Sequence, residues 1–295
     1  MQTLVLCTLL SMALLSLGCQ GDDFSKPEQL GGATVAAMTL NQGHAVYRRY
    51  CVGCHGVHGD GKGPTSNSMT PPPRDFTAGS FKWSFVPGGK LPVDDDIIRT
   101  LRHGLNGTHM PAFAAMPDED ARAVVQYLKT FSPRWRSERP GNPVVVPPDP
   151  WRSGRLVEAA KRGETVYHVT AQCWACHPAY ASRGRMQEME QAVRRATGGK
   201  LRPLPFRADL RKSLAVATRH GKLLPPDFLS DTLRVAQEQS DLYRTVAAGI
   251  GGTPMPSWQS ELSSAELWAV VHYLDELRRI KGTRQAEVLE ERAGH

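Results

Sequence analysis

The chain writes Cys-x-x-Cys-His twice, as CVGCH from Cys51 to His55 and as CWACH from Cys173 to His177, about 120 residues apart. It has six cysteines, and the two outside these elements, Cys7 and Cys19, lie in its first 19 residues. Three chemistries use such a pair. A structural zinc ion needs two pairs roughly 15 to 20 residues apart so that four ligands reach one metal, and here a long proline-rich stretch intervenes. A thioredoxin-type dithiol expects a βαβ setting and requires no following histidine. Covalent haem attachment uses both thiols as thioethers and the next histidine as an iron ligand. On a helical turn, positions i, i+3 and i+4 share one face, so a single porphyrin can meet all three side chains. Haem is the reading that explains Cys51, Cys54, His55, Cys173, Cys176 and His177 together.

A low-spin haem carrier needs a sixth ligand. GLNGTHMPAF from Gly104 to Phe113 and GIGGTPMPSW from Gly249 to Trp258 repeat Gly-x-x-Gly-Thr-x-Met-Pro, and single them out Met110 and Met255. Glycine lets the loop come close over a porphyrin, and proline stiffens the approach of the thioether. The plain alternative is two core methionines, but the repeated setting argues against it. His109 is a rival ligand in the first copy, whereas the second has Pro254 there, which cannot ligate. Met69, Met186 and Met189 are weaker rivals. His44, His58, His103, His168 and His272 read as surface or supporting groups.

The repeat is longer than its motifs. NQGHAVYRRY leads into the first cysteine pair and KRGETVYHVTAQ into the second, and AVVQYL at Ala123 returns as AVVHYL at Ala269. Two copies of one domain is the economical reading. DEDARAVVQYLKTF and SSAELWAVVHYLDELRRI carry apolar residues at i, i+3, i+4 and i+7 after an acidic or serine start, the pattern of amphipathic helices. With no run of alternating strand character, the expected class is all-α with long loops. The expected organisation is a signal over 1–18, a tether over 19–38, a first domain over 39–131, a linker over 132–155 holding six prolines, a second domain over 156–281 and a solvated tail over 282–295. His177 and Met255 are 78 residues apart, against 55 for His55 and Met110. The surplus, roughly 178–224, begins with an amphipathic helical pattern to which the sequence assigns no role.

The opening MQTLVLCTLLSMALLSLGC is apolar and uncharged. It reads as a lipoprotein signal cleaved before Cys19, with a retained helix and plain secretion as the other readings. All three export the chain, so the expected place is the periplasm or the outer face of the cytoplasmic membrane. The formal charge of +7 suits an acidic protein partner or an anionic membrane face. Export disfavours nucleic acid, and each haem would bring two propionates that offset much of the excess. GDGKG from Gly59 to Gly63 fits neither phosphate-loop fingerprint.

On these residues the sequence resembles a dihaem c-type cytochrome made of two class I cytochrome c domains. CVGCHGVHGDGKGP followed by PPPRDF is similar to the small membrane-associated cytochromes c of bacterial respiratory chains. The resemblance implies that the first and last helices of each domain cross, with Gly43 and Tyr47 against Tyr127, and Gly163 and Tyr167 against Tyr273. The second domain lacks the Gly-Asp-Gly-Lys-Gly loop, and its Pro225-Pro226-Asp227-Phe228 lacks the arginine of Pro73-Arg74-Asp75-Phe76. Arg74 is the expected propionate partner in the first domain, and Trp83 and Trp258 are expected near the haems.

A haem with both axial positions filled favours outer-sphere electron transfer over bond chemistry, and methionine raises the potential relative to a second histidine. The expected function is an exported, membrane-anchored carrier with two covalently bound haem c groups that passes electrons between redox proteins of a respiratory chain and has no substrate at the iron. The alternatives are a dihaem peroxidase in which one iron loses its methionine, and a haem-based sensor or assembly subunit of a respiratory complex.

Overall fold

The computed structural model describes residues 24–293 apart from 153, 200, 219–220 and 236–237. The expected signal and the Cys19 lipidation site lie outside the described residues. No helix among them is long and apolar enough to cross a membrane.

The fold is helical, in two repeats with separate cores. In the first, α1 (Ala37–Tyr50) runs into the short α2 (Val52–His55), followed after a long loop by α3 (Asp94–His103) and α4 (Asp118–Lys129). A further single turn, α5 (Arg134–Ser137), opens the linker. In the second, α6 (Leu156–Thr165) continues as a π-helical turn, Val166–Thr170, before α7 (Arg183–Thr197), α8 (Gln239–Ala248), α9 (Ser264–Arg279) and α10 (Arg284–Ala293). Asp94, Asp95 and Asp96 in the first turn of α3, and Asp118, Glu119 and Asp120 in that of α4, offset the positive end of the helix dipole. Ser263 caps α9 in a reciprocal capping box with Glu266. The acidic start of α4 is not itself a cap, because Pro117 occupies that position.

The crossings of α1 with α4 and of α6 with α9 organise the two cores. A Cβ on Gly43 would fall on the carbonyl oxygen of Ala123, and one on Gly163 on that of Ala269. Helices this close need glycine, because any side chain would collide with backbone. The aromatic partners are in place: the Tyr47 and Tyr127 rings lie 5.4 Å apart and those of Tyr167 and Tyr273 5.6 Å apart.

Three segments differ from expectation. The stretch expected as a tether contains an antiparallel hairpin, β1 (Glu28–Leu30) with β2 (Ala33–Val35), whose Leu30 is fully buried and whose Gly31 amide donates to the Trp135 carbonyl. A second hairpin, β3 (Val216–Thr218) with β4 (Gly221–Leu223), lies in the surplus of the second domain. The expected solvated tail forms α10, with Ala286 buried and Leu289 packed on the second core. Two apolar residues spaced i and i+3 were too narrow a stripe to reveal that contact among so many charges.

The proline-rich linker is fastened at both ends. Gly141 donates to Leu91 and Val144 to Phe85 in the first repeat. In the second, Trp268 Nε1 donates to Pro147 at 3.1 Å, Trp151 Nε1 to Ala265 at 3.0 Å, and His272 Nε2 lies 2.9 Å from the buried carboxylate of Asp149. Proline backbone donates no hydrogen bonds, so tryptophan and histidine side chains from α9 supply donors to the strap. The buried Asp241 of α8 adds an interdomain ion pair with Arg99 at 3.2 Å, alongside its own Arg244 at the same distance. The two domains are therefore held in one fixed relation.

Candidate functional site: two matched cavities

A cavity lies beside each Cys-x-x-Cys-His element, of about 310 Å³ at the first and 590 Å³ at the second, within the range of small-ligand sites. The first is lined by Cys51, Cys54, His55, Met110 and Arg74, the second by Cys173, Cys176, His177 and Met255. Both cysteines, the histidine and the methionine of one repeat thus line one space.

The local structure explains how each side chain is aimed. Tyr47 Oη donates to the Gly56 carbonyl at 2.7 Å and Tyr167 Oη to the Pro178 carbonyl at 2.8 Å. Each tyrosine thereby pins the residue after the motif histidine. His55 Nδ1 lies 3.0 Å from the Arg74 carbonyl, and His177 Nδ1 2.9 Å from the Pro226 carbonyl. A carbonyl only accepts, so Nδ1 carries the proton and Nε2 keeps a free lone pair for a metal. Phe76 stacks on His55 at 4.5 Å and Phe228 on His177 at 5.1 Å, fixing the ring planes. Burial lowers both histidine pKa values, which keeps the imidazoles neutral.

The methionine loops are built alike. Thr108 Oγ1 donates to the Leu105 carbonyl and accepts from the Met110 amide. Thr253 makes the same pair with Ile250 and Met255. Gly104 and Gly249 open these loops with φ of 64° and 74°, a conformation that disfavours any side chain.

Met69 and His109 also line the first cavity, and Trp258 the second. Met186 and Met189 lie on α7 in the second core, as ordinary apolar residues. His44 stacks on Tyr127. Trp83 lines both cavities, which the sequence could not show because only the fold brings the repeats face to face.

The surplus in the second domain replaces the missing glycine loop. In the first domain, the amides of Gly61, Gly63 and Thr65 donate to His55, Cys54 and Gly53. In the second, Arg207 Nη2 donates to the His177 carbonyl at 2.7 Å, Arg207 Nη1 to Asp209 at 2.6 Å, and the Leu214 amide to Cys176. Trp174 of the motif is fully buried under this cover, stacked on Phe206 at 5.5 Å. Charge-assisted hydrogen bonds of this kind contribute about 1.5–3 kcal/mol each. Arg207→Met is expected to cost the second domain about 2 kcal/mol and leave the first unchanged. Thermal unfolding followed separately at the two domains checks this, and equal losses in both would refute it.

Cys51 and Cys173 are not poised for redox exchange. None of the four motif cysteines is in a disulfide, and burial pushes Cys51 and Cys173 up to about 12, whereas reactive dithiols have lowered values. Among the described residues no three His, Cys, Asp or Glu side chains gather to hold a metal ion. What each cavity offers is two thiols, one imidazole with Nε2 free, one thioether and an apolar wall. That donor set fits haem c.

The family described as cytochrome c oxidase, cbb3-type, subunit III has a model that matches residues 39–128 and 158–274. The chain belongs to this family. As a c-type cytochrome with two cytochrome c domains, it has electron transfer with haem as its role. The chain is also similar to one in the solved Kuenenia stuttgartiensis reducing HAO-like protein complex, at 31% identity and a TM-score of 0.63, over 80% of this chain and 95% of that one. No curated protein matches the sequence.

Proposed function

We propose that this cytochrome is an exported electron carrier with two His/Met haems, anchored at the membrane through Cys19, that relays electrons between protein partners of a respiratory chain. The observation that carries this reading is the convergence of both thiols, the histidine and the methionine of each repeat on one cavity. Haem c, held through two thioethers, supplies a one-electron iron couple.

The chain's own residues do the rest. Cys51 and Cys54, or Cys173 and Cys176, would fix the group covalently. His55 and His177 present Nε2 from rings locked by a carbonyl and a phenylalanine, and Met110 and Met255 offer a thioether from loops tied by Thr108 and Thr253. His55 with Met110, and His177 with Met255, would each hold the iron between two protein donors and leave no place for a substrate, which favours outer-sphere transfer over peroxide chemistry. The fastened linker and the Arg99–Asp241 pair favour a relay at fixed separation over swinging domains. The membership of the similar Kuenenia chain in a protein complex is consistent with docking onto a larger redox assembly.

Optical spectra of the purified protein test the reading. Two covalent haems per chain, a methionine-to-iron charge-transfer band in the ferric state and no carbon monoxide adduct in the ferrous state are expected. Met110→Ala and Met255→Ala should each open about half of the iron to carbon monoxide. An adduct on the unsubstituted protein would bring the peroxidase or sensor reading forward.

A further inference from the structure

Lys82 and Arg234 stand at equivalent places in the two repeats, each six residues after the phenylalanine that stacks on the motif histidine. Asn106 and Gly251 also correspond, each third in its Gly-x-x-Gly loop. The fold exchanges these positions. The Asn106 amide donates to the Arg234 carbonyl at 3.4 Å, and its side chain reaches the Leu233 carbonyl at 3.5 Å. Reciprocally, Gly251 lies so close to Phe81 that a Cβ on it would come within 2.5 Å of the Phe81 oxygen. Each methionine loop thus leans on the other domain beside that domain's cation, the internal counterpart of a self-complementary two-fold contact.

The consequence is that Lys82 and Arg234 both line both cavities. Arg74 of the first domain lies close enough to act on Lys82. Burial, then the charges of Arg74 and Arg234, pull the Lys82 ammonium below its ordinary value. None of the three cations makes a salt bridge with a carboxylate of this chain among the described residues. Asp75 opposes the charge of Arg74, and Asp96 and Asp231 line the first and second cavity without a salt bridge to any of the three. Three partly buried like charges repel one another, so this junction is suited to further anions beyond these carboxylates.

We propose that Lys82 and Arg234 form one carboxylate-binding bridge shared by the two cavities, each cation serving the haem propionates of both domains and setting both reduction potentials in common. The proposal rests on the haem-binding reading above. A nearby cation favours the form of the metal that carries one more electron, so removing either cation lowers both potentials. If each cation served its own domain alone, each substitution would move one potential only.

The test is a spectroelectrochemical titration of the holoprotein and of its Lys82→Met and Arg234→Met variants, with each wave assigned through Met110→His and Met255→His. Covalent haem content is measured first, and a protein without two haems overturns the cofactor reading and the bridge with it. With both haems present, each single substitution should lower the ferrous-to-ferric ratio at a fixed potential about three- to tenfold at both sites, or roughly 30–60 mV at about 59 mV per tenfold. Lys82→Arg and Arg234→Lys should leave both waves within about twofold of the parent, which separates a charge effect from damaged packing. The bridge is overturned, with the haem reading intact, if Lys82→Met moves only the first domain and Arg234→Met only the second, or if neither wave moves.

Discussion

Gly163→Ala is expected to cost the second domain about 3 kcal/mol, and Gly43→Ala to do the same to the first. The added methyl group of the Gly163 variant would overlap the Ala269 carbonyl oxygen and come within 2.6 Å of Tyr273 Cβ. Overpacking ordinarily costs about 1–3 kcal/mol, and this case lies at the upper end because the obstacle is backbone that no rotamer change can clear. The helices must part, and the π-helical turn that continues α6 carries Tyr167, whose hydroxyl holds the turn after His177. The damage should therefore reach the haem as well as the melting curve. For a domain of this size the midpoint should fall by on the order of 10 °C. Gly184→Ala is the control, because Gly184 lies in α7 with no atom within 4 Å of an added Cβ; alanine there should be neutral or stabilising by up to about 1 kcal/mol. If Gly163→Ala melted with the parent, the close crossing would be wrong.

Both crossings were implied by the resemblance to class I cytochrome c domains, which rests here on glycine and tyrosine four residues apart before each cysteine pair and a tyrosine in each AVV helix. The grouping of two cysteines, a histidine and a methionine at each cavity was foreshadowed by two motifs, Cys-x-x-Cys-His and Gly-x-x-Gly-Thr-x-Met-Pro, that each occur twice. The cover over the second motif was not legible. Arg207 works through carbonyl oxygens, which every residue has, so nothing in the sequence around His177 marks a place where an arginine will land. The junction of Lys82, Arg234 and Trp83 was hidden differently. Lys82 and Arg234 repeat in register, yet their role depends on how two domains face each other, and linker composition does not encode that. Proline richness suggested a spacer, whereas Trp151, Trp268 and Asp149 make it a strap.

Stability of the second domain should fall as pH drops from 6.5 to 4, through His168 alone by roughly 3 kcal/mol. His168 is fully buried. Its Nδ1 donates to the Glu164 carbonyl at 2.8 Å, and its Nε2 accepts from the Tyr180 amide at 3.2 Å. Both nitrogens are satisfied only while the ring is neutral, since a proton on Nε2 would face an N–H. Burial, the larger cause, overrides the Glu164 hydrogen bond and holds the folded-state pKa down at about 4. Unfolded histidine titrates near 6.5. Between those values the unfolded chain binds a proton that the folded chain refuses, so acid favours unfolding. Above about 6.5 neither state is charged and the contribution vanishes. Asp96, in α3 of the first domain, works in the opposite direction over the same window, because burial raises its carboxyl to about 6, so an unfolding curve of the whole protein cannot isolate His168. Comparison with His168→Gln does, since an amide can donate to Glu164 and accept from Tyr180 without titrating. The stability difference between parent and variant, measured by urea unfolding at pH 7.5 and at pH 4, should shift by roughly 3 kcal/mol in favour of the variant at acid pH. A difference that stays constant with pH would mean that His168 takes up its proton without leaving the core.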